Sequence, residues 1–354
     1  MGINSIRRTK ARAPGVVKLF GEHAVVYGRL AIAAAISLFA SAQIEDGEGS
    51  GLTIELPNFG ARYEFSKERL TVLYASYKNR TDIKDYITKN SDIKSEVLPY
   101  ATIASKAICE YNTNLIGKKV TLSSEITAQR GLASSGSCCT ALTVAILRSS
   151  NIKLSDDEAI ELAREGEKIV HKNEGAGKID VPASYYGGYS SYSGSSGAKK
   201  EEVSTDLSLL LIDTGPKIST AEIVGKVAER FKSNKEGTEA IFDRINLCAM
   251  GGISALKAGN INKVGSHMTE IHKLLVELGV STEGLDTAVS TAITAGAYGA
   301  KLSGGGGGGL AVAIAPKEKL EYLVNSIASA GFTASVTQIS QLGAKELYEA
   351  SNTP

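Results

Sequence analysis

Apolar and polar positions alternate in blocks along this chain of 354 residues, and the first half predicts strands followed by helices. Residues 15–27 mix short apolar runs with glycine and charge, and residues 31–44 are apolar without glycine or proline. Together these two segments predict strand, loop and strand. Residues 62–115 are polar with scattered aromatic side chains and predict helices, whereas residues 137–147 are small and apolar and predict a buried helix.

The clearest helix signal follows the predicted buried helix. Ser155 and Glu158 form a capping-box pattern ahead of an amphipathic run. Further along, apolar residues 209–212 and 310–315 predict two strands. Because short strands alternate with helices throughout, the pattern favours an α+β or α/β fold over an all-helical or all-β fold.

Chain length and one stretch of unusual composition indicate two domains. A chain of 354 residues is longer than one hydrophobic core usually fills. Residues 187–197 are rich in glycine and serine and predict a turn or linker. We therefore predict an N-terminal domain over residues 1–195 and a C-terminal domain over residues 196–354.

Composition and charge narrow the kinds of partner. The chain is 43% hydrophobic with a net charge of +1, so it has no basic surplus to attract nucleic acid. No apolar run is long enough to span a bilayer, and no signal-peptide core follows the N-terminus, so we expect a cytoplasmic protein. The cysteines have spacings that fit neither a metal site nor a disulfide framework: Cys109, Cys138, Cys139 and Cys248. A small-molecule partner fits best.

The segment GLASSGS, residues 131–137, directly precedes the predicted buried helix. Glycines let the backbone approach an anion closely, and a helix N-terminus offers free N–H groups and a partial positive charge. The serine hydroxyls add contacts for phosphate oxygens or a magnesium ion. The same pattern also fits a helix cap whose small residues allow tight packing, and this alternative stays open.

Six consecutive glycines, residues 304–309, precede the last apolar strand. Ordering such a run on folding costs much conformational entropy, so we expect the glycines to have a specific role that offsets this cost. A phosphate or substrate loop is one reason and a hinge is another; the strand directly after the run favours the loop. The chain contains no GxxxxGK[ST] and no GxGxxG that follows a strand in a βαβ unit, so neither a P-loop nor a dinucleotide site is predicted.

Glu167 occupies an unusual position on the predicted amphipathic helix. At about 100° per residue, Glu161, Glu165 and Lys168 fall on the side opposite the apolar face. Glu167 instead lies on the flank of the apolar face, where a carboxylate is costly unless it is paired or bound to a cation. The sequence leaves a salt bridge and a magnesium ligand equally open.

Asp180, Lys18 and His23 are the other candidates for chemistry. Asp180 stands between Ile179 and Val181 near a glycine-rich bend, which fits either a turn residue or a general base. Lys18 lies in a predicted strand, where it either reaches the surface or pairs with an internal acid such as Asp180. His23 follows the turn and also fits a structural histidine.

Three blocks of sequence, in order along the chain, resemble the GHMP kinase family. They are GEHAVVYG at residues 21–28, GLASS at residues 131–135 and KLSGGGGGG at residues 301–309. The resemblance spans residues 13–315 and is closest to the branch that phosphorylates mevalonate, for which IDTGPKIST at residues 212–220 is also typical.

This resemblance implies a two-domain α+β GHMP kinase fold, with an N-terminal domain like ribosomal protein S5 and a ferredoxin-like α/β C-terminal domain. It also implies direct in-line transfer of the γ-phosphoryl group of ATP to the 5-hydroxyl of mevalonate. The implied co-substrate and metal are ATP and Mg²⁺. Nucleic acid and membranes are not expected as partners, and a homodimer is compatible with the sequence.

Site residues follow from the resemblance position by position. Asp180 would be the base, or the anion that orients the substrate hydroxyl, and Ser135 and Glu167 would hold Mg²⁺. Glu22 and His23 would line the mevalonate pocket. Further substrate contacts would come from Asp180, Gly305 and Gly306. The ATP phosphates would lie against residues 130–137, which are Arg130, Gly131, Leu132, Ala133, Ser134, Ser135, Gly136 and Ser137.

The chain departs from the family pattern at several positions. Val16 stands where the family has lysine, and we expect Lys18, on the same strand face, to supply the catalytic ammonium instead. Ala133 replaces the middle glycine of the GLxSS block. Two alternatives stay open: another GHMP enzyme acting on a mevalonate derivative (a phosphomevalonate kinase, mevalonate 3-kinase or decarboxylase relative), and a catalytically inactive binding protein.

Overall fold

The computed structural model describes residues 6–127 and 130–353, and its first half begins with strands. The early elements are β1 (Ile6–Phe20), β2 (Ala31–Asp46), β3 (Leu52–Leu56), β4 (Ala61–Phe65), α1 (Lys67–Lys78), α2 (Ile83–Lys89) and α3 (Leu98–Tyr111). There follow β5 (Lys118–Ser124), α4 (Ser134–Ser149), α5 (Asp156–His171), α6 (Asp180–Tyr186), β6 (Tyr189–Ser193) and β7 (Gly197–Glu201). The predicted strand, loop and strand at the start are confirmed.

The second half alternates strands with longer helices. It contains β8 (Ser208–Lys217), α7 (Thr220–Ser233), α8 (Lys235–Lys257), α9 (Ile261–Glu277), α10 (Glu283–Thr294), β9 (Gly299–Leu302), β10 (Gly308–Ile314), α11 (Leu320–Ser329), β11 (Thr333–Gln338) and β12 (Tyr348–Thr353). The strands predicted at residues 209–212 and 310–315 are therefore present as β8 and β10.

Two sheets organise the molecule. Within the described part of the chain, the larger sheet has eight strands in the order β12-β1-β2-β5-β3-β4, with β6 paired to β2 and β7 to β6. The smaller sheet has four strands in the order β11-β8-β10-β9. Helix α4 packs against β1 and β2, whereas α9 and α10 pack against β9 and β10. The glycine-rich loop 303–307 joins β9 to β10 at one end of the smaller sheet.

The middle of the chain forms a hairpin within the larger sheet. Of the turn or linker predicted for residues 187–197, the structure shows a turn, because β6 and β7 form an antiparallel hairpin whose first strand pairs with β2. The predicted boundary at residue 195 therefore falls in the hairpin turn, and β7 lies in the larger sheet. The C-terminal strand β12 also returns to the larger sheet, where it pairs with β1. Long-range strand pairing overrides local composition here.

A small packed cluster positions the strand that carries Lys18. Val16 of β1 packs with Ala31, Ala33, Ile179 and Ala183, all of them buried. Because alternate residues of a strand share a face, Lys18 points to the same side as Val16, toward α6. No helix among the described residues combines the length and apolarity that a membrane span requires.

The capping box at the start of α5 is present as predicted. The Ser155 side chain accepts a hydrogen bond from the Glu158 N–H at 3.3 Å, and the Glu158 carboxylate accepts one from the Ser155 N–H at 2.9 Å. Both free N–H groups are thereby satisfied. The cap fixes where α5 begins and hence which side of the molecule Glu167 faces.

Candidate active site

Lys18 and Asp180 form an ion pair at the start of α6. Lys18 Nζ donates hydrogen bonds to Asp180 Oδ1 at 2.8 Å and Oδ2 at 3.0 Å. Burial acts to lower the pKa of Lys18, but the Asp180 carboxylate outweighs it and the pKa is raised. The ammonium therefore stays charged and holds the carboxylate in place. Of the two alternatives for Lys18, the internal ion pair is the one observed.

Helix α4 begins at Ser134, three residues earlier than the sequence predicts, so four residues of the GLASSGS segment form its first turn. The N–H groups of a first helical turn have no partner within the helix and carry a partial positive charge. Ala133 precedes the helix with φ of 55°, in the left-handed region. An alanine in this conformation costs about 1–2 kcal/mol of conformational free energy, because its Cβ lies too close to the following carbonyl oxygen. This cost explains why a glycine is usual at this position.

The serine hydroxyls of this turn have different partners. Ser134 Oγ donates to the Ile126 carbonyl at 3.2 Å, and Ser137 Oγ donates to the Pro14 carbonyl at 2.8 Å. Both hydroxyls therefore help to hold the loop against the sheet. Within the described residues the Ser135 hydroxyl makes no hydrogen bond, so it is the one available to a ligand.

Glu167 and Asp180 converge on the first turn of α4. A side chain built on Gly136 would lie 3.5 Å from Glu167 Oε2 and 3.6 Å from Asp180 Cβ. Glu167 is 1% exposed, its Oε2 lies 3.4 Å from His171 Nε2, and its Oε1 has no hydrogen-bond partner among the described residues. Such an orphaned oxygen is costly without a ligand. Mg²⁺ takes oxygen ligands from one or two carboxylates and substrate phosphates, so Glu167 and Ser135 fit it.

The side of α5 opposite its apolar face is largely covered as well. Glu165 and Lys168 are both buried, and Glu161 alone stays largely accessible. Glu165 accepts hydrogen bonds from Tyr77 of α1, Lys106 of α3 and Lys168. The two neighbouring helices cover this side of α5, and the pairing of charges makes their burial tolerable.

The glycine-rich loop 303–307 contacts both the GLASSGS segment and the turn at residues 21–23, the GEH turn. A side chain built on Gly131 would lie 3.5 Å from the Ser303 carbonyl oxygen. His23 Nε2 lies 2.9 Å from the Gly305 carbonyl oxygen. Burial lowers the pKa of His23, so the neutral ring donates this hydrogen bond. Three segments far apart in sequence are thereby brought together.

Leu132 and Gly306, two further predicted contact residues, have visible packing roles. The Leu132 side chain is buried, and its carbonyl accepts a hydrogen bond from the Val16 N–H at 3.0 Å. A side chain built on Gly306 would lie only 2.1 Å from the Val280 carbonyl oxygen. Packing alone therefore requires glycine at position 306, and ligand contacts by either residue stay predictions.

Glu22 is buried beside His23 and has one free carboxylate oxygen. Its Oε1 atom accepts a hydrogen bond from Lys301 Nζ. Its Oε2 atom is buried and has no hydrogen-bond partner among the described residues. Like Glu167, this residue offers an acceptor that the protein does not satisfy.

Lys217, at the end of β8, is a candidate that sequence reasoning missed. Its Nζ atom would lie 3.9 Å from a side chain built on Gly131 and 3.8 Å from one built on Gly304. No described carboxylate pairs with it, and burial, together with the charge of Lys18, lowers its pKa. An ammonium without a counter-ion between two glycine-rich loops is suited to bind an anion. It lies within the family-typical segment 212–220, which was the available signal, but only the fold brings its ammonium between the two loops.

Arg130 joins the GLASSGS segment to the smaller sheet. Its Nη1 atom lies 2.8 Å from Asp213 Oδ1 and donates a hydrogen bond to the Gly215 carbonyl at 2.6 Å. The guanidinium thus contacts the last residues of β8. Direct binding of phosphate by Arg130 stays a prediction.

The assembled groups suit phosphoryl transfer to an alcohol. A helix N-terminus and glycine-rich backbone favour an anion, unsatisfied carboxylate and hydroxyl oxygens favour a hard cation, and a lysine-held aspartate can take a proton. The structure brings Lys18, Ser135, Glu167 and Asp180 to one place, as predicted.

Comparison with known proteins identifies the family of the chain. The family model for the GHMP kinase N-terminal domain matches residues 99–188, and that for the GHMP kinase C-terminal domain matches residues 253–332. A mevalonate kinase of Pyrococcus abyssi is 32% identical over 346 residues, covering 95% of this chain and 97% of that protein. A mevalonate kinase of Arabidopsis thaliana is 26% identical, with 96% and 99% covered.

Solved structures show the same architecture over nearly the whole chain. The Methanococcus jannaschii mevalonate kinase superposes with a TM-score of 0.77 at 25% identity, covering 93% of this chain and 98% of that one. The L. major mevalonate kinase in complex with R-mevalonate gives a TM-score of 0.74 at 25% identity, with 93% and 95% covered. The two-domain GHMP kinase fold expected from the sequence blocks is confirmed, and the chain belongs to the GHMP kinase family.

Proposed function

We propose that this chain transfers the γ-phosphoryl group of ATP to the 5-hydroxyl of mevalonate, giving 5-phosphomevalonate and ADP. The observation that carries the proposal is the lysine-held Asp180 beside the first turn of α4 and the buried, unsatisfied Glu167. Mevalonate as the acceptor is supported by the 32% identity to a mevalonate kinase over nearly the full length of both chains. A cytoplasmic location and a homodimer stay predictions.

Asp180 would act on the acceptor alcohol. Its carboxylate accepts the proton of the attacking hydroxyl, or orients that hydroxyl in line with the γ-phosphorus. Lys18 holds both carboxylate oxygens, so the side chain is fixed before the substrate arrives. Fixing the geometry in advance removes part of the entropic cost of reaction.

The phosphates would lie at the N-terminus of α4. The free N–H groups of its first turn donate to phosphate oxygens, and the left-handed turn at Ala133 directs the chain around them. Ser135 and Glu167 would hold Mg²⁺, which when bound neutralises charge on the β- and γ-phosphates. Preorganised charge of this kind supplies most of the rate acceleration.

A coupled ADP-release assay tests the proposal directly. We expect turnover with mevalonate at a kcat/KM at least about 10²-fold above that with phosphomevalonate, homoserine or galactose, because the buried polar groups of a site reject ligands that leave them unpaired. A preference for phosphomevalonate would assign the chain to another GHMP branch. Absence of turnover with every alcohol would support an inactive binding protein.

We assign Lys217 to the carboxylate of mevalonate, because no described carboxylate pairs with its ammonium. Replacing Lys217 with methionine should then raise KM for mevalonate about 10- to 100-fold, since a charge-assisted hydrogen bond to the substrate carboxylate contributes about 1.5–3 kcal/mol. Methionine keeps an unbranched stem of similar length against Gly309, so packing is preserved. The matched control is Lys226→Met on α7, where the lysine is exposed and pairs with Glu222. Steady-state kinetics with each substrate varied in turn would decide; a rise confined to KM for ATP contradicts the carboxylate assignment.

A further inference from the structure

Lys301 is a fully buried lysine outside the set of residues assigned so far. It lies in β9, three residues before the first of the six glycines, and is 0% exposed. Its ammonium donates to the Glu22 carboxylate, to the Leu302 carbonyl at 2.6 Å and to the Lys18 carbonyl at 3.3 Å. An ammonium has three N–H donors, so every one of them is used.

These three acceptors lie on segments that meet at the active site. The Lys18 carbonyl belongs to the residue whose ammonium holds Asp180, and Glu22 precedes His23, which contacts Gly305. Leu302 is the last residue before the loop that contacts Gly131 through Ser303. Lys301 therefore ties β1 and the GEH turn to the end of β9.

Stability alone does not explain a buried ion pair of this kind. Removing charges from water is costly, and a well-packed apolar pair of similar size is often as stable or more so. Glu22 in addition has one buried oxygen without a partner among the described residues. By contrast, both oxygens of the buried Glu165 have partners. The unsatisfied oxygen of Glu22 indicates that the pair serves a ligand.

We infer that Lys301 is a positioning residue for phosphoryl transfer. It fixes the main chain of Lys18, and with it the Lys18–Asp180 pair, and it aims the free oxygen of Glu22 at a hydroxyl of the acceptor substrate. This inference rests on the proposed function, because it needs an alcohol acceptor in the cleft. It assigns to Lys301 no direct contact with ATP.

Three variants separate positioning from simple structural support: Lys301→Met, Glu22→Gln and the double variant. Lys301→Met should lower Tm because it leaves the Glu22 carboxylate buried without a counter-charge. The double variant should regain most of the lost Tm because the amide is neutral. For all three, kcat should fall about 10- to 100-fold with KM for ATP nearly unchanged, as when a residue that orients active-site groups is lost.

The double variant is decisive. Recovery of both Tm and kcat in this variant would show a purely structural pair and overturn the inference. Recovery of Tm with kcat still low supports it. Loss of folding in Lys301→Met leaves the double variant to give the answer, since it buries neither an unpaired carboxylate nor an unpaired ammonium.

A matched control and the wild-type protein complete the design. Lys106→Met also removes a lysine partner from a buried carboxylate, Glu165, but away from the cleft, so Tm should fall while kcat is kept. Wild-type turnover in the same assay reports on the proposed function separately. A wild-type protein that is inactive with every alcohol would contradict both proposals, whereas an active wild type with an active double variant contradicts only the role of Lys301.

Discussion

Replacing Asp180 with asparagine is expected to lower kcat about 10²- to 10⁴-fold, the usual contribution of a positioned acid or base. Asparagine has nearly the same shape but cannot take the proton, and it holds Lys18 less tightly. The side chains of the pair are 24% and 20% exposed, so the variant leaves no fully buried charge and should fold. Rates of ADP release at saturating ATP and mevalonate give the effect, and thermal unfolding confirms the fold.

Asp85→Asn is the matched control for this variant. Asp85 also pairs with a lysine, Lys89, at 2.8 Å, and its side chain is 26% exposed, but it lies on α2. The kcat of Asp85→Asn should equal that of the wild type. Lys18→Met extends the test, because turnover near wild type in that variant would show that Lys18 does not replace the lysine absent at position 16. Wild-type kcat in Asp180→Asn would rule out Asp180 as the base.

Glu167→Gln should separate activity from stability. We expect kcat/KM for MgATP to fall about 10²- to 10³-fold, since a group that acts on the charge of the transferred phosphoryl is lost. The free energy of unfolding should not fall, because the amide removes a buried carboxylate oxygen that has no partner among the described residues. Titration of activity with Mg²⁺ and thermal unfolding with and without Mg²⁺ measure the two effects.

Glu165→Gln, two residues earlier on the same helix, is expected to lower stability and to leave the Mg²⁺ dependence of activity unchanged, the opposite of Glu167→Gln. Glu165 is equally buried but is paired with Lys106 and Lys168, so its loss should lower stability. Its dependence on Mg²⁺ should stay that of the wild type. A Glu167→Gln variant with unchanged Mg²⁺ dependence, or one that loses stability as Glu165→Gln does, would contradict the metal assignment.

Local signals predicted the elements that depend on local physics. The capping box at Ser155 and Glu158 and the apolar run of β10 are short-range features, and both are found where the sequence placed them. The β6–β7 hairpin was missed because its serines and glycines suit a loop, while pairing with β2 decides that they form strands. Likewise, helix phase places Glu165 and Lys168 on the side of α5 opposite the apolar face. In the structure both are buried, because Tyr77 of α1 and Lys106 of α3 contact Glu165 on that side.

The residues of the candidate site also differ in how far the sequence alone could identify them. Lys18, Glu167 and Asp180 stand out within their own segments, by strand face, helix phase or apolar neighbours. The choice of Ser135, and the role given to each of the four residues, came from the resemblance to the GHMP kinases. Lys217 and Lys301 lie within the family-typical segments 212–220 and 301–309, but neither was given a role. Their importance comes from contacts with Gly131, Gly304 and Glu22, which are distant in sequence.

The proton-coupled ³¹P NMR spectrum of the product tests the central claim most directly. With ATP, Mg²⁺ and mevalonate, the account predicts a new phosphate monoester signal split into a triplet, because the 5-oxygen is bound to a CH₂ group. Phosphorylation at the 3-oxygen, whose carbon carries no hydrogen, would give an unsplit monoester signal. Such an unsplit signal, or inorganic phosphate alone, would contradict the transfer of phosphate to the 5-hydroxyl by the groups around Asp180.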